Sequence, residues 1–339
     1  MIRGTSPLLA AAVLAYAQSD ALTAGTEQFH GGDYTAARQT LEKAPDSEQT
    51  RTFLALTRAA LGLCGEAMPE LAAQFEKNST PDLRRMAGLA MAQCQVSQNR
   101  IAEAAQTSAR LQSLYPSDPD VLYQSAKVHM KAWNDAVFQM YQNAPSSFRV
   151  NQLSAEILEI QGKYSEAVAE YRKAIAKSPS SVNLHFRLGR ALLLQSHDAA
   201  VLADARKEFE AELALNPRDA AAEFQVGQLL IAEQKNTEAA ARLERALTMN
   251  PDFAEAAVAL ARLYLQANRA GEAIRLLEHA VEVQPRNESA RYGLMLAYRN
   301  AGRASDALKQ KAELDKLQKP PEGEFSDFLK RLGEKPKQQ

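Results

Sequence analysis

The chain has 339 residues, of which 46% are apolar and 24% charged, and its formal net charge is -1. This near-neutral balance lacks the positive field that general nucleic-acid binding requires, so no nucleic acid is expected as a partner. Gly and Pro are few, at 15 and 14 residues, while strong helix formers such as Ala, Leu, Glu and Arg dominate. The composition therefore predicts an all-α protein with a sizeable core.

The first 17 residues have the pattern of a secretory signal peptide. One positive charge, Arg3, precedes an apolar run from Leu8 that ends in Ala15-Tyr16-Ala17, with small residues at the positions that a signal peptidase reads. Ten residues rise only about 15 Å as a helix, half the apolar thickness of a bilayer, which disfavours a spanning anchor. We expect cleavage near Ala17, export to a bacterial periplasm or cell envelope, and no integral membrane span afterwards. A buried first helix and an uncleaved anchor are the alternatives.

The sequence of residues 18–147 predicts about four divergent helix pairs. We expect them to form one continuous solenoid with the more regular pairs of residues 148–319. The last of the four is expected to have a shortened turn around Trp133. Packing is the default role of this Trp, and partner binding is the alternative. The pairs are expected over residues 29–45 (a second helix only), 51–84, 88–116 and 120–145.

The two cysteines, Cys64 and Cys94, form a candidate disulfide. We expect Cys64 near the end of one first helix and Cys94 late in the first helix of the next pair. Neighbouring helices can bring Cα atoms to the separation of about 5.5 Å that a bridge needs. An exported protein favours the bridge, and two buried free thiols are the alternative.

Residues 148–319 carry a regular period. Pro217, Pro251 and Pro285 are 34 residues apart, and Pro179 precedes Pro217 by 38. We place the four extra residues in the turn between the two helices of that unit. Most units have a small residue in the first helix, a Gly or polar turn, and an Ala pair before the Pro, and the last unit is degenerate. The predicted turn residues are Gly162, Asn236, Asn268 and Gly302, and the units are 148–181, 182–219, 220–253, 254–287 and 288–319.

The spacing has a direct physical reading. Two helices cross closely only where small side chains meet, so Ala167 in a second helix is expected to face Ala155 in the first. Pro179 then ends the second helix, because Pro has no N–H to donate and its predecessor resists the α region. Repetition of one crossing angle predicts a superhelix.

The last segment, 320–339, contains Phe325, Phe328, Leu329 and Leu332 at the spacing of an amphipathic helix. We expect this helix and tail to cap the exposed apolar edge of the last repeat. A self-ligand that folds into a groove of the same chain is the alternative.

The repeating pattern resembles the tetratricopeptide repeat family, whose 34-residue unit has a small residue at position 8, Ala at 20 and 27, and Pro at 32. The resemblance implies an all-α, right-handed superhelical solenoid of helix-turn-helix units that binds a protein or peptide on its concave face. Position 4, often Trp in the family, holds other residues here: Asn151, His185, Glu223 and Ala257. The best match, 148–181, is carried by Ala155, Leu158, Gly162, Tyr164, Ala167, Tyr171, Ala174 and Pro179.

By analogy with the family, the first helices of residues 148–319 line a groove for a partner. Arg187, Arg190, Arg262 and Arg299 are predicted to anchor an acidic or C-terminal group, since Arg forks onto carboxylates. Hydrated surface arginines are the alternative. The predicted groove residues are Gln152, Glu156, Phe186, Arg187, Arg190, Phe224, Gln228, Arg262, Gln266, Tyr292 and Arg299.

The sequence has no arrangement of residues typical of catalysis. Its five His are scattered, and no metal-ligand spacing, phosphate-binding Gly loop or nucleophile elbow is present. We therefore expect no catalytic residue, metal or cofactor, and a non-enzymatic protein-interaction scaffold. The alternative is the non-catalytic recognition subunit of an envelope enzyme or of an export or assembly complex. Neither the partner nor the oligomeric state follows from the sequence.

Overall fold

Seventeen α-helices and no strand make up the regular structure of residues 20–318, which are the residues that the computed structural model describes. The all-α prediction is confirmed, and the helices form a repeat solenoid. The predicted signal peptide 1–17 and the predicted capping helix in 320–339 lie outside the described residues. None of the helices between residues 20 and 318 is both long enough and apolar enough to cross a membrane.

The described helices belong to two compact units, divided between Pro145 and Ser146. In the first unit three helix pairs are followed by one long helix, where four pairs were expected. Its helices are α1 (residues 20–30), α2 (Tyr34–Leu41), α3 (Glu48–Ala60), α4 (Cys64–Lys77), α5 (Pro81–Ser97), α6 (Ile101–Leu114) and α7 (Pro119–Asn143).

The second unit holds five helix pairs, one in each of the five predicted ranges. The pairs are α8 (Phe148–Ile160) with α9 (Tyr164–Lys177), α10 (Leu184–Gln195) with α11 (Ala199–Leu215), α12 (Ala220–Ala232) with α13 (Asn236–Met249), α14 (Ala254–Gln266) with α15 (Ala270–Val283), and α16 (Glu288–Asn300) with α17 (Ala304–Leu317). A continuous solenoid through both units stays a prediction.

A three-residue turn joins the two helices of most pairs, and its middle residue has a positive φ. The N–H of the third turn residue bonds back to a carbonyl five residues earlier, as in the 2.9 Å bond from Lys163 N to Leu158 O. Glycine fills the middle position at Gly162 and Gly302, where φ exceeds 70°. The prediction of Asn236 as a turn residue is wrong, because Gln234 has the positive φ and Asn236 begins α13.

The 38-residue unit accommodates three of its four extra residues in a helix. The turn at 196–198 keeps the usual three residues, and α11 has 17 residues where α9 and α13 have 14. The prediction of a longer turn is therefore wrong. The inserted stretch is rich in Ala and Leu, which extend a helix more readily than they form a loop.

Small residues in the first helices meet bulky ones in the second. A Cβ added to Gly189 would lie 2.8 Å from the ring of Phe209, and one on Gly227 would lie 3.0 Å from Leu243. Phe209 and Leu243 have no solvent exposure. Ala155 and Ala167 are equally buried, so the interpretation of the period as a packing signal holds.

Two tyrosines link successive pairs near the end of the second unit. The Tyr264 hydroxyl in α14 donates to Glu244 in α13 at 2.7 Å, and Tyr298 in α16 donates to Glu278 in α15 at the same distance. We call these two bonds the tyrosine latches. Burial raises the pKa of each tyrosine to about 12, and the carboxylate that accepts the bond is the second cause of this shift.

Helix α7 departs most from the sequence prediction. It runs unbroken over 25 residues, so the turn predicted around Trp133 is absent and Trp133 lies within the helix. Most of the other turns between paired helices contain a positive-φ residue, whereas every residue from His129 to Ala136 is helical.

Candidate functional site

The first unit contains a groove of about 720 Å³. First helices α3, α5 and α7 line it, and α3 contacts α5, which in turn contacts α7. Its surface is mainly apolar, with one glutamine on α5, and one glutamine and two charged residues on the wall formed by α7. We call this surface the N-terminal groove, and the side chains used below are Phe29, Tyr34, Leu56, Met86, Leu89, Gln93, Asp120, Tyr123, Gln124 and Lys127.

An aromatic cluster shapes one end of the N-terminal groove. Phe29 lies 5.4 Å from the ring of Phe53 in an edge-on arrangement and 5.5 Å from the ring of Tyr34. Such contacts between rings favour a fixed arrangement of the side chains. Phe53 is buried in the core of the unit, so the cluster ties the groove surface to the core.

A disulfide between Cys64 and Cys94 also lines the groove. The two Cα atoms are 5.4 Å apart, and the bridge joins α4 to α5, which belong to successive helix pairs. The predicted position of Cys64 at the end of a first helix is wrong. It is the first residue of the second helix α4, because α3 ends at Ala60 and Gly62 forms the turn.

The α7 wall supplies most of the polarity of the groove. Tyr123 is 67% exposed, and the Lys127 ammonium lies 5.6 Å from the centre of its ring. Asp120 receives a bond of 3.2 Å from Arg85. The groove thus offers an apolar surface beside amide and charged groups, a combination suited to one face of an amphipathic segment.

The structure brings only part of the predicted groove of the second unit together. Arg187 in α10 lies 3.1 Å from the Glu156 carboxylate in α8, and Gln152 donates to the same carboxylate at 2.9 Å. Phe186 and Phe224 are half-buried against Phe209 and Phe253, at ring distances of 5.5 and 4.9 Å. These two aromatic rings therefore pack between helices.

Polar groups surround the contact between Arg187 and Glu156. Burial raises the pKa of Tyr171 to about 12, and the Glu159 carboxylate adds to the effect. Burial also raises the pKa of Glu159, and the charge of Arg190 opposes this shift. The arginines of this region are thus partly neutralised by carboxylates of the same chain, which reduces their capacity to hold an acidic partner.

The remaining predicted groove residues lie on the first helices α10, α12, α14 and α16. Arg190, Arg262, Gln266 and Arg299 are exposed on three different helices, and Gln228 is half-buried. Tyr292, 55% exposed, belongs to a separate cleft of about 420 Å³ between α16 and α17, beside Met295 and Leu314. Among residues 20–318, no group of three or more His, Cys, Asp or Glu could hold a metal ion.

The sequence prediction missed the N-terminal groove because the repeats of the first unit are divergent and their register was uncertain. Its apolar residues, such as Leu56 and Leu89, resemble ordinary core positions in the sequence. The signal that could have located it was the cysteine pair, since a bridge between successive pairs identifies the neighbouring helices.

Comparison with known proteins gives four matches to repeat models. Tetratricopeptide repeat models match residues 86–118, 230–282 and 258–315, and a TPR repeat model matches 156–196. No curated protein sequence matches the chain.

Several solved structures are similar to part of this chain at low sequence identity. A crystal structure of MamA is 21% identical and covers 48% of this chain and 94% of its own, with a TM-score of 0.44. MamA 41-end from Desulfovibrio magneticus RS-1 is 17% identical and covers 51% of this chain and 96% of its own, with a TM-score of 0.46. YrrB, described as a TPR protein with an unusual peptide-binding site, is 18% identical and covers 58% of this chain and 98% of its own, with a TM-score of 0.45.

The four repeat matches fall on helices of both units: α5 with α6, the end of α8 with α9 and α10, and the consecutive helices from the end of α12 to α17. With the all-α architecture, they show tetratricopeptide repeats in both units of this chain.

Proposed function

We propose that this chain is a non-enzymatic scaffold that binds an amphipathic segment of a partner protein in the N-terminal groove. The observation that carries the proposal is the groove itself, which has a volume of about 720 Å³ and a mainly apolar surface open to solvent. An apolar surface of this kind gains free energy when it is covered, at roughly 25 cal/mol per Å² of apolar area.

The arrangement of side chains favours a helical or extended peptide over a small molecule. Met86 and Leu89 on the first helix α5 provide successive apolar contacts along the groove, beside the buried Leu56 of α3. Gln93 and Gln124 can bond to the backbone or polar side chains of a bound segment. The Met side chain adapts its shape to different partners, which suits a surface that binds more than one sequence.

The disulfide supports a preformed groove. It fixes α4 against α5, and α5 supplies the central surface through Met86, Leu89 and Gln93. A surface that is already ordered loses less conformational entropy on binding, so more of the contact energy remains as affinity.

We also propose that the protein is exported and acts in the periplasm or at the cell envelope. Two features support this proposal: the signal-like pattern of residues 1–17 and the bridge between Cys64 and Cys94, since disulfides persist mainly in oxidising compartments. Intact mass of protein recovered from the envelope fraction tests both. A full-length chain with two free thiols would contradict the proposal.

A pair of matched variants tests the groove. Gln93→Arg places a long cation within the groove, and Gln106→Arg makes the same change at an exposed position on α6 outside it. After crosslinking in cells, partners should be recovered with wild type and Gln106→Arg and be strongly depleted with Gln93→Arg. Equal recovery by all three proteins would reject the groove as the binding site.

The quadruple variant with Arg187, Arg190, Arg262 and Arg299 changed to Ala provides a second comparison. If this variant loses partners while Gln93→Arg retains them, binding occurs on the second unit instead. One stable partner with catalytic motifs would favour a recognition subunit of an enzyme complex, and several unrelated partners would favour a general scaffold.

A further inference from the structure

Helix α7 exposes an unusual concentration of large apolar side chains. Six such side chains are exposed, and at 100° per residue they fall within an arc of about 160° around the helix axis. The opposite face, with Val121, Ser125 and Val128, is buried toward α5 and α6. We call the exposed residues the α7 stripe, and their exposed fractions are Leu122 46%, Tyr123 67%, Met130 61%, Trp133 49%, Phe138 61% and Tyr141 41%.

The stripe results from the missing turn. In the other helix pairs a three-residue turn reverses the chain, and the second helix packs antiparallel on the first. In α7 the residues that follow Trp133 continue in the same direction, so they move away from the apolar residues that precede it. Each half of α7 therefore displays a surface of the kind that another helix covers in a normal pair.

We propose that a second copy of this chain covers the α7 stripe, with the two α7 helices packed antiparallel about a twofold axis. In this arrangement the second half of each helix covers the first half of the other. A pairing centred between Lys131 and Ala132 places Met130 of one copy beside Trp133 of the other, and Leu122 beside Tyr141. The same surface on both copies makes a closed, isologous interface.

The exposed area is sufficient for a dimer. A large aromatic side chain buries on the order of 200 Å², and the stripe residues are on average about half exposed, so each copy offers roughly 600 Å². Two copies would bury about 1,200 Å², the lower end of the range for specific interfaces. A large apolar area exposed on one helix is otherwise unfavourable in water.

The first test is the oligomeric state of the full chain. Analytical ultracentrifugation across the micromolar range should show a monomer–dimer equilibrium. Met130→Glu with Trp133→Glu should weaken self-association at least tenfold, because each pair would bury carboxylates without partners. Ile160→Glu, at a residue 88% exposed on α8, makes a matched change outside the stripe and should leave the equilibrium unchanged.

Circular dichroism serves as the folding control, since both substituted side chains are about half exposed or more and the variants should keep the helix content of wild type. A wild-type monomer at every concentration would overturn the proposal. So would a dimer that persists in the double variant.

The second test is the orientation of the pair. The described residues contain no free cysteine, so a single added thiol reports on its own copy. With a rise of 1.5 Å per residue, the two Met130→Cys positions lie about 5 Å apart along the axis and should crosslink, whereas two Leu122→Cys positions lie about 28 Å apart and should not. Crosslinking of both variants would indicate a parallel pair and overturn the antiparallel arrangement.

Discussion

Removal of the bridge between Cys64 and Cys94 should destabilise the first unit without affecting the second. The bridge closes a loop with a sequence separation of 30 residues. The entropy of closing such a loop in the unfolded chain corresponds to about 3.6 kcal/mol at 25 °C. Typical domains have only about 5–15 kcal/mol of stability, so the loss is a large fraction of the total.

Two forms of the protein separate the contributions. Reduction with a dithiol removes the crosslink and retains both sulfur atoms, whereas Cys64→Ala with Cys94→Ala also removes their packing. Cys94 is 1% exposed, so the double variant should lose up to about 1 kcal/mol more than the reduced protein.

The assay is urea unfolding followed by fluorescence. The chain has one Trp, and Trp133 lies in the first unit, so its emission reports that unit. Hydrogen exchange of amides in α12–α15 serves as the control for the second unit, which has no cysteine. A loss below about 1 kcal/mol on reduction, or an equal loss in both units, would refute the loop-closure reasoning.

Two further predictions concern the second unit. Gly189→Ala should lower the free energy of unfolding by about 1 kcal/mol, because the new methyl group would lie 2.8 Å from the buried ring of Phe209. Gly271→Ala, at an exposed helical site with no neighbouring atom within 4 Å, should instead raise it by about 0.5–1 kcal/mol. Thermal melts that show a change of the same sign for both variants would contradict this reasoning. Burial raises the pKa of Tyr171, Tyr264 and Tyr298 to about 12, whereas unfolded tyrosine ionises near 10, so this contribution to stability is complete below pH 10 and is lost as the pH rises toward 12. Tyr264→Phe should lose about 1 kcal/mol at pH 7 and show a weaker decline above pH 10 in urea titrations, and an undiminished decline would argue against ionisation of the latch.

The period of the sequence was sufficient to predict the fold. A small residue such as Ala155 is explained by the close crossing of two helices, and Pro179 by the end of a helix. The turns were less predictable, because Gln234 adopts a positive φ that the repeat geometry imposes on a residue with little preference for it. The continuous α7 was missed because a divergent repeat was assumed to keep its turn.

The partner-binding residues of the second unit stay a prediction, and the N-terminal groove was not predicted from the sequence. Family positions placed Phe186 and Phe224 on an open face, but their apolar rings are stabilised by burial against Phe209 and Phe253. The N-terminal groove lies in the first unit, where the register was weakest. Burial depends on which helices become neighbours, and only the cysteine pair indicated that for the first unit.

The tyrosine latches affect how the second unit unfolds. The last repeats of a linear array have a neighbour on one side only, so they open most readily and expose the rest to successive loss. Each latch spans the junction between adjacent repeats, at the two junctions nearest the end of the described residues. A repeat there cannot detach without breaking a bond to a carboxylate, so these three repeats should melt as one cooperative block instead of fraying one at a time.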